Sequence, residues 1–246
     1  MVDLKGKVMG SAIRVAGRNV EVDDVVGLSP RLRLLRLRGS VLHRMEWTPG
    51  DKIKLHVGDG AMRSYTPARV DPEQGMMEIA VHLHDRGRAS AWAQSLRPGD
   101  TVSFMGPARS MPSLREAAPW AVFLGDETAI GLARALVDAH EATTEILGAV
   151  ELDPQDIPAV QALGLSLDAV SRDGEHGRAL VDWLAGTTLP RGPGVAWLSG
   201  EANAVLALRT ALIERGLDRR QLCIKPYWSR HGKADRKKLE RGALVA

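Results

Sequence analysis

The sequence predicts an α+β protein of two domains: an N-terminal antiparallel β-barrel over residues 1–110 and an α/β parallel-sheet domain over 119–246. Three observations carry this. Residues 17–106 hold short segments of alternating polarity separated by Pro, Gly and Asp turns, the grammar of a small closed or nearly closed barrel. From about residue 119 the strand-like segments become unbroken apolar runs that alternate with helical ones, as in a parallel sheet covered on both faces. Between the two lies MPSLREAAP (111–119), with prolines near both ends, a natural junction.

In the first half, RLRLLRLRG (31–39) alternates apolar and basic side chains and reads as a strand with one wet face. KIKLHV (52–57) alternates likewise and is introduced by Pro49-Gly50-Asp51. MMEIAVHLH (76–84) follows the turn DPEQG (71–75), and TVSFMG (101–106) follows RPGD (97–100). One helix is expected near 88–96. In the second half WAVFLG (120–125) is apolar throughout and runs into the helical TAIGLARALVDAH. The alternation then repeats: EILGAV and a helix near 154–163, LSLDAV and GRALVDWLAG, VAWLSG and EANAVLALRTALIERG, and a last strand QLCIKPYW. Five strands separated by helices describe a nucleotide-binding sheet, whose ligands sit outside the carboxyl ends of the strands.

Composition narrows the classes. A chain of 246 residues, 44% hydrophobic and 26% charged, is an ordinary globular protein. No apolar run approaches the ~18–20 residues of a bilayer span, so stable membrane insertion is not expected. The start, MVDLKGKVMGSAIRV, does not read as a signal peptide. The single Cys223 excludes an internal disulfide framework and a cysteine-held cluster, which points to a reducing cytoplasm. A monomer is expected. Net charge is +3, yet residues from Ser229 onward hold six basic and two acidic side chains, leaving 27 basic against 28 acidic before them. The basic character belongs to the tail, which reads as a solvated helix end, an anion-binding flap or a nucleic-acid arm. Nucleic acid is not the expected partner.

Two segments carry the chemistry of the first half. In RSYTP, the Arg63 guanidinium suits a phosphate in fork geometry and the Tyr65 ring suits a flavin face, with Ser64 and Thr66 beside them. About twenty residues on, HLHDRGRASAWA runs from a strand into a helix through Gly87, Arg88, Ala89 and Ser90, a start that aims backbone N–H groups at a pyrophosphate. Together, in this order, they suggest FAD. His82 and His84, two apart on one strand, match metal spacing, but no third ligand follows suitably, so no metal site is expected. Trp47, Trp92, Trp120, Trp183 and Trp197 read as core or surface-patch residues; for Trp228 a place near the cofactor stays open.

In the second half two strand ends stand out: GDETA (Gly125, Asp126, Glu127, Thr128, Ala129) and SGEA with Gly200, Glu201 and Ala202. Glycine permits the turn, and the helix start favours phosphate. Glu151 ends the second strand, where an acidic residue commonly bonds the ribose 2′-hydroxyl of NADH; Arg172, one strand later, offsets that preference.

The order RSYT, LHDRGRASAWA, RPGDTVSFMGPA, FLGDETA, WLSGEA, YWSRHGK resembles the siderophore-interacting proteins, FAD-containing ferric-siderophore reductases of the ferredoxin–NADP reductase-like superfamily. The resemblance covers roughly residues 20–235. It implies that Arg63, Tyr65 and Thr66 hold the flavin and its phosphates, that His84, Gly87, Ala89 and Ser90 lie over the pyrophosphate, and that Tyr227 and Trp228 fall near the flavin. It places Thr128, with Gly125 to Ala129, at the nicotinamide end, and Gly200, Glu201 and Ala202 along the same cleft. Ile130-Gly131 stands where the family commonly has Leu-Pro, and two arginines occupy the LHDRGRAS loop.

The expected activity is an FAD-dependent NAD(P)H oxidoreductase that reduces a ferric siderophore or other ferric chelate and releases Fe(II). The cofactor performs the redox chemistry, so no catalytic acid or base is named. Lys52, Lys54, Arg69, Lys225, Arg230 and Lys233 would attract an anionic iron substrate. Two alternatives remain: a reductase of free flavin, quinone or a redox partner, and a non-catalytic or basic-tailed binding module.

Overall fold

The computed structural model describes residues 17–84, 87–112 and 118–230. The chain divides between Ser110 and Met111 into two compact units.

The first unit contains strands β1 (Arg18–Ser29), β2 (Leu32–Arg38), β3 (Lys52–His56), β4 (Met62–Tyr65), β5 (Arg69–Asp71), β6 (Met76–His82) and β7 (Thr101–Ala108), with helix α1 (Arg88–Ser95) between β6 and β7. The strands form one antiparallel sheet in the order β4-β3-β7-β1-β2-β6-β5. Its two edge strands, β4 and β5, are consecutive in sequence. Laid flat, seven strands would separate those edges by roughly 29 Å. The link from Tyr65 to Arg69 reaches about 14 Å at most. The sheet therefore curls until its edges nearly meet. No ladder joins β4 to β5 among the described residues, so the expected barrel is an open one. The corner is β1, which pairs with β7 through Arg18–Glu21 and with β2 from Glu21 onward. Register shifts at Val22/Asp24 and Gly27/Ser29 add the twist that turning a corner needs.

Inside, Leu35, Leu37, Ile53, Leu55, Ile79 and Phe104 are almost wholly buried and pack with Ala89 and Ala93 of α1. Across the outer face, Arg36 bridges Asp24 and Glu78, and Arg38 meets Asp23. Arg33 instead bonds the Ala93 carbonyl near the end of α1. The arginines of β2 are thus committed to structure. Arg36 is 40% exposed, so its pairs contribute less than about 1 kcal/mol each. A buried leucine contributes more. Leu35→Ala should lower unfolding free energy by about 2–5 kcal/mol and Arg36→Ala by about 1 or less, read by urea denaturation. Equal losses would mean that the ladder, not the core, holds this sheet.

The second unit runs β8 (Trp120–Asp126), α2 (Ile130–His140), β9 (Glu145–Leu152), α3 (Pro158–Ala162), β10 (Asp168–Ser171), α4 (Arg178–Gly186), β11 (Gly194–Glu201), α5 (Ala202–Glu214), β12 (Leu222–Trp228). Its parallel sheet has the order β10-β9-β8-β11-β12. All seven residues of β8, the central strand, are buried. The helix expected over 154–163 is broken: a 3₁₀ turn at Pro154–Asp156 precedes the short α3, because Pro158 lacks the N–H to continue a helix. From β8 the order runs one way through β9 to β10 and the other way through β11 to β12. That switch lies between β8 and β11, where an open α/β sheet leaves its ligand crevice.

Candidate functional site

The RSYT segment forms the edge strand β4. Pairing places Tyr65 opposite Ile53 and Arg63 opposite Leu55, so both share the face that carries the core. Ser64, opposite Lys54, lies on the other face. Tyr65 packs against the core, and burial pushes its hydroxyl up to about 12, against the opposing pull of the Arg63 charge. The phenol therefore stays neutral and able to donate. Arg63 is exposed and its guanidinium rests on the Met62 carbonyl at 2.9 Å. Thr66 is buried at the start of the β4–β5 link.

His82 ends β6 and its ring lies 6.5 Å from that of His84. Among the described residues no group of three or more His, Cys, Asp or Glu is gathered for a metal ion. The His84 N–H donates to Ser90 Oγ at 2.9 Å and ties the strand end to the first turn of α1. Gly87 is the N-cap, and a Cβ there would sit 2.0 Å from the His84 ring, so a side chain would displace it. Among the described residues no side chain caps this helix start, and Ala89 and Ser90 are buried behind it. An open helix N-terminus and an exposed arginine beside an inward tyrosine fit a flavin dinucleotide, with anion partners for its phosphates and an aromatic ring for its isoalloxazine.

In the second unit the carboxyl edge of the sheet is built from buried acids. Asp126, which ends β8, accepts from Thr128 N at 2.9 Å, Glu201 N at 2.8 Å and Trp228 Nε1 at 2.9 Å, and from the Thr128 hydroxyl. One carboxylate thus ties the ends of β8, β11 and β12. Its close packing requires Gly200, whose φ is +121° and where a Cβ would stand 2.6 Å from the carboxylate. Burial and the neighbouring Glu127 push Asp126 up to about 6, against the hydrogen bonds from Thr128 and Trp228. Glu201 caps α5, accepting from Asn203 N at 2.6 Å and Ala204 N at 3.0 Å, and its other oxygen accepts from Arg230 N. Arg172 bridges Glu127 and Glu151. The Trp228 indole meets the His176 ring edge-on at 5.1 Å.

Comparison with known proteins places this geometry. Residues 118–231 match the siderophore-interacting protein family, and residues 58–111 match its siderophore-interacting FAD-binding domain. The chain belongs to the siderophore-interacting protein family. The FAD-binding match takes in Arg63–Thr66 and the His84–Ser90 turn. A siderophore utilization protein from T. fusca superimposes with a TM-score of 0.70 at 25% identity, over 88% of this chain and 94% of that one. The ferredoxin reductase in carbazole 1,9a-dioxygenase shares the fold, with a TM-score of 0.73 at 18% identity, over 86% of this chain and 69% of that one. The mycobactin import ATP-binding/permease protein IrtA of Mycolicibacterium smegmatis is 30% identical over 181 residues. That match takes in 68% of this chain but 20% of that protein, so the chain spans about a fifth of that relative's length.

Within this siderophore-interacting protein some expected residues stand differently. Glu151 is fully buried, and its two oxygens accept from Gly177 N at 3.0 and 2.9 Å, Ala179 N at 3.2 Å and Arg172 Nε at 3.4 Å. It closes the start of α4 instead of facing outward toward a ribose. Arg69 is paired with Asp71, while Lys52 and Lys54 lie together on β3 and Lys225 on β12. Lys233 and the rest of the tail beyond Arg230 lie outside the described residues, as do Asp85 and Arg86. Sequence reasoning missed His176 and the bond from Trp228 to Asp126, which no local spacing announces.

Two outcomes follow. Glu151→Ala leaves two helix-start amides without their acceptor and Arg172 with Glu127 alone, and should cost about 3–5 kcal/mol in chemical denaturation. A variant as stable as wild type but with weakened NADH binding would return Glu151 to the ribose. For Asp126 the fold favours the neutral form, so its contribution to stability is full below about pH 4 and is lost as pH rises through about 6. Wild-type stability should therefore fall more steeply over that window than that of Asp126→Asn, and parallel thermal-melt profiles would contradict this.

Proposed function

We propose that this protein is an FAD-dependent oxidoreductase, acting as a monomer in the cytoplasm, that passes electrons from NADH or NADPH to a ferric siderophore or similar ferric chelate. The observation that carries the reading is the pairing of an anion-ready edge, Arg63 to Thr66 with the open start of α1, with a parallel sheet whose switch point lies beside Asp126 and Glu201. Family membership supports both halves of it. Bound FAD supplies the conversion of a hydride into single electrons. The chain supplies position and charge. Arg63 neutralises a phosphate, the α1 N–H groups hold a second anionic group, and the neutral Tyr65 offers its ring. Thr128 and Ala202 stand at the strand ends that would meet the nicotinamide, and Tyr227 and Trp228 end β12 as the residues that would fall near the flavin.

The iron substrate is bulky and often anionic, which suits Lys52, Lys54, Lys225 and Arg230. Arg69, held by Asp71, contributes less. Reduction to Fe(II) weakens the grip of hard oxygen ligands and releases the metal. No helix among the described residues is long and apolar enough to cross a membrane. The shared ferredoxin reductase fold keeps one second reading in view, reduction of a quinone, free flavin or redox protein.

Anaerobic reoxidation of the reduced protein separates the two: a ferric chelate should accept electrons fastest, and reoxidation by quinones or free flavin alone would assign the second. Arg63→Ala should weaken FAD by about 1.5–3 kcal/mol, roughly 10- to 150-fold in Kd, when apoprotein is titrated with FAD by fluorescence. An unaltered Kd would remove the phosphate from Arg63.

A further inference from the structure

The hairpin between β3 and β4 turns through residues 57–61, where Val57 N donates to Ala61 O at 2.9 Å and Ala61 N to Gly58 O at 2.8 Å. Asp59, in that turn, is the one non-glycine among the described residues with a left-handed backbone, its φ +45°. L side chains disfavour that region, and Asp is among the few that enter it. Gly58 and Gly60 on either side have φ of +81° and +70°. Asp59 is exposed, and among the described residues no hydrogen bond or ion pair holds its carboxyl. The next amide has an unusual partner: Gly60 N donates to His56 Nε2 at 3.2 Å. An imidazole nitrogen that accepts carries its lone pair, and this one lies within the reach of about 2.6–3.2 Å over which a base takes a proton.

An exposed aspartate followed by glycine is open to attack by its own backbone, because glycine has no side chain to shield its nitrogen. In this hairpin the attacking nitrogen already shares its proton with a base, and the carboxyl it would attack is not held elsewhere. We propose that Asp59–Gly60 is a site of covalent self-modification, at which Asp59 converts to isoaspartate with His56 as the base. The Gly60 nitrogen attacks Cγ of the protonated Asp59 carboxyl. A C–N bond forms, the amide proton passes to His56 Nε2, and the carboxyl hydroxyl leaves as water with a proton returned by the imidazolium. Water then opens the cyclic imide at either carbonyl. One opening restores aspartate, and the other routes the main chain through Cγ and leaves isoaspartate. No electrons are exchanged. The added main-chain carbon falls inside the turn that joins the paired residues His56 and Met62, directly ahead of the strand that presents Arg63 and Tyr65.

The chain carries its own control in a second Asp-Gly pair, Asp173–Gly174. Asp173 is exposed as well. Its backbone is not left-handed, and among the described residues no imidazole accepts from Gly174 N. The two dipeptides are chemically identical, so a difference between them in reactivity reports the fold.

The test incubates the full-length protein in heavy-oxygen water, digests it in ordinary water and maps the peptides by mass spectrometry. Each passage through the imide leaves a heavy oxygen on the residue, whichever way the ring opens. In the folded protein Asp59 should label at least about threefold faster than Asp173 and accumulate isoaspartate, since only its amide has a placed base. In denaturant the two should label alike. Equal labelling in the folded protein, or an excess at Asp59 that persists in denaturant, would overturn the proposal. His56→Gln keeps an acceptor for the Gly60 amide but no base, so labelling at Asp59 should slow about threefold or more while Asp173 is unchanged. An unaltered rate at Asp59 in that folded variant would overturn the role of His56, and the wild-type comparison stands should the variant fail to fold.

Discussion

A helix start buried at a sheet edge must find acceptors for its first amides, and at α4 and α5 of the second unit that demand is met by acids carried on the strands. Asp126 is the centre of this arrangement. It accepts from its own turn, from the backbone of β11 at Glu201 and from the indole on β12, and it lies against Gly200, where no side chain fits. Glu151 extends the same solution to α4, and Arg172 offsets the charge that accumulates on Glu127 and Glu151. Burial opposes all of this, since each carboxylate loses its hydration. The converging amide dipoles and the guanidinium compensate, which is why these acids come with several donors each.

The first unit solves the same problem in the opposite sense. Its helix α1 begins at a glycine and, among the described residues, has no capping side chain, and the place of a Cβ is taken by the His84 ring. The arginines of β2 are held by carboxylates or by a carbonyl near the end of α1, whereas Arg63 on the edge strand rests only lightly, on the carbonyl of its neighbour. One unit keeps its helix start open to an anion, and the other fills its starts with anions of its own.

Much of the fold was legible in the sequence because burial leaves a period. The unbroken apolar run at 120–125 and the repeats after it predicted the strands and helices of the parallel sheet. The open barrel was harder to read. Alternation yields strands but not their order, and the reach of the Tyr65–Arg69 link constrains the sheet only once β4 and β5 are known to be its edges. The break before α3 could have been read from Pro158, which no helix interior tolerates.

The strand ends were legible in the sequence, and the partners of their acids less so. GDETA and SGEA were found because glycine and acids at strand ends mark a crevice, and Glu201 with Asn203 and Ala204 is a cap of local spacing. Glu151 was placed on a ribose because its register position is the one that usually faces a ligand. Its side chain turns inward, because Gly177 and Ala179 offer three donor contacts and Arg172 a fourth, more than an exposed ribose hydroxyl could return. Such a choice is made by amides far along the chain, and neither periodicity nor a short motif records it. Acids at strand ends are therefore ambiguous in sequence between ligand and cap. The ambiguity is resolved by counting the donors that the fold brings to each one.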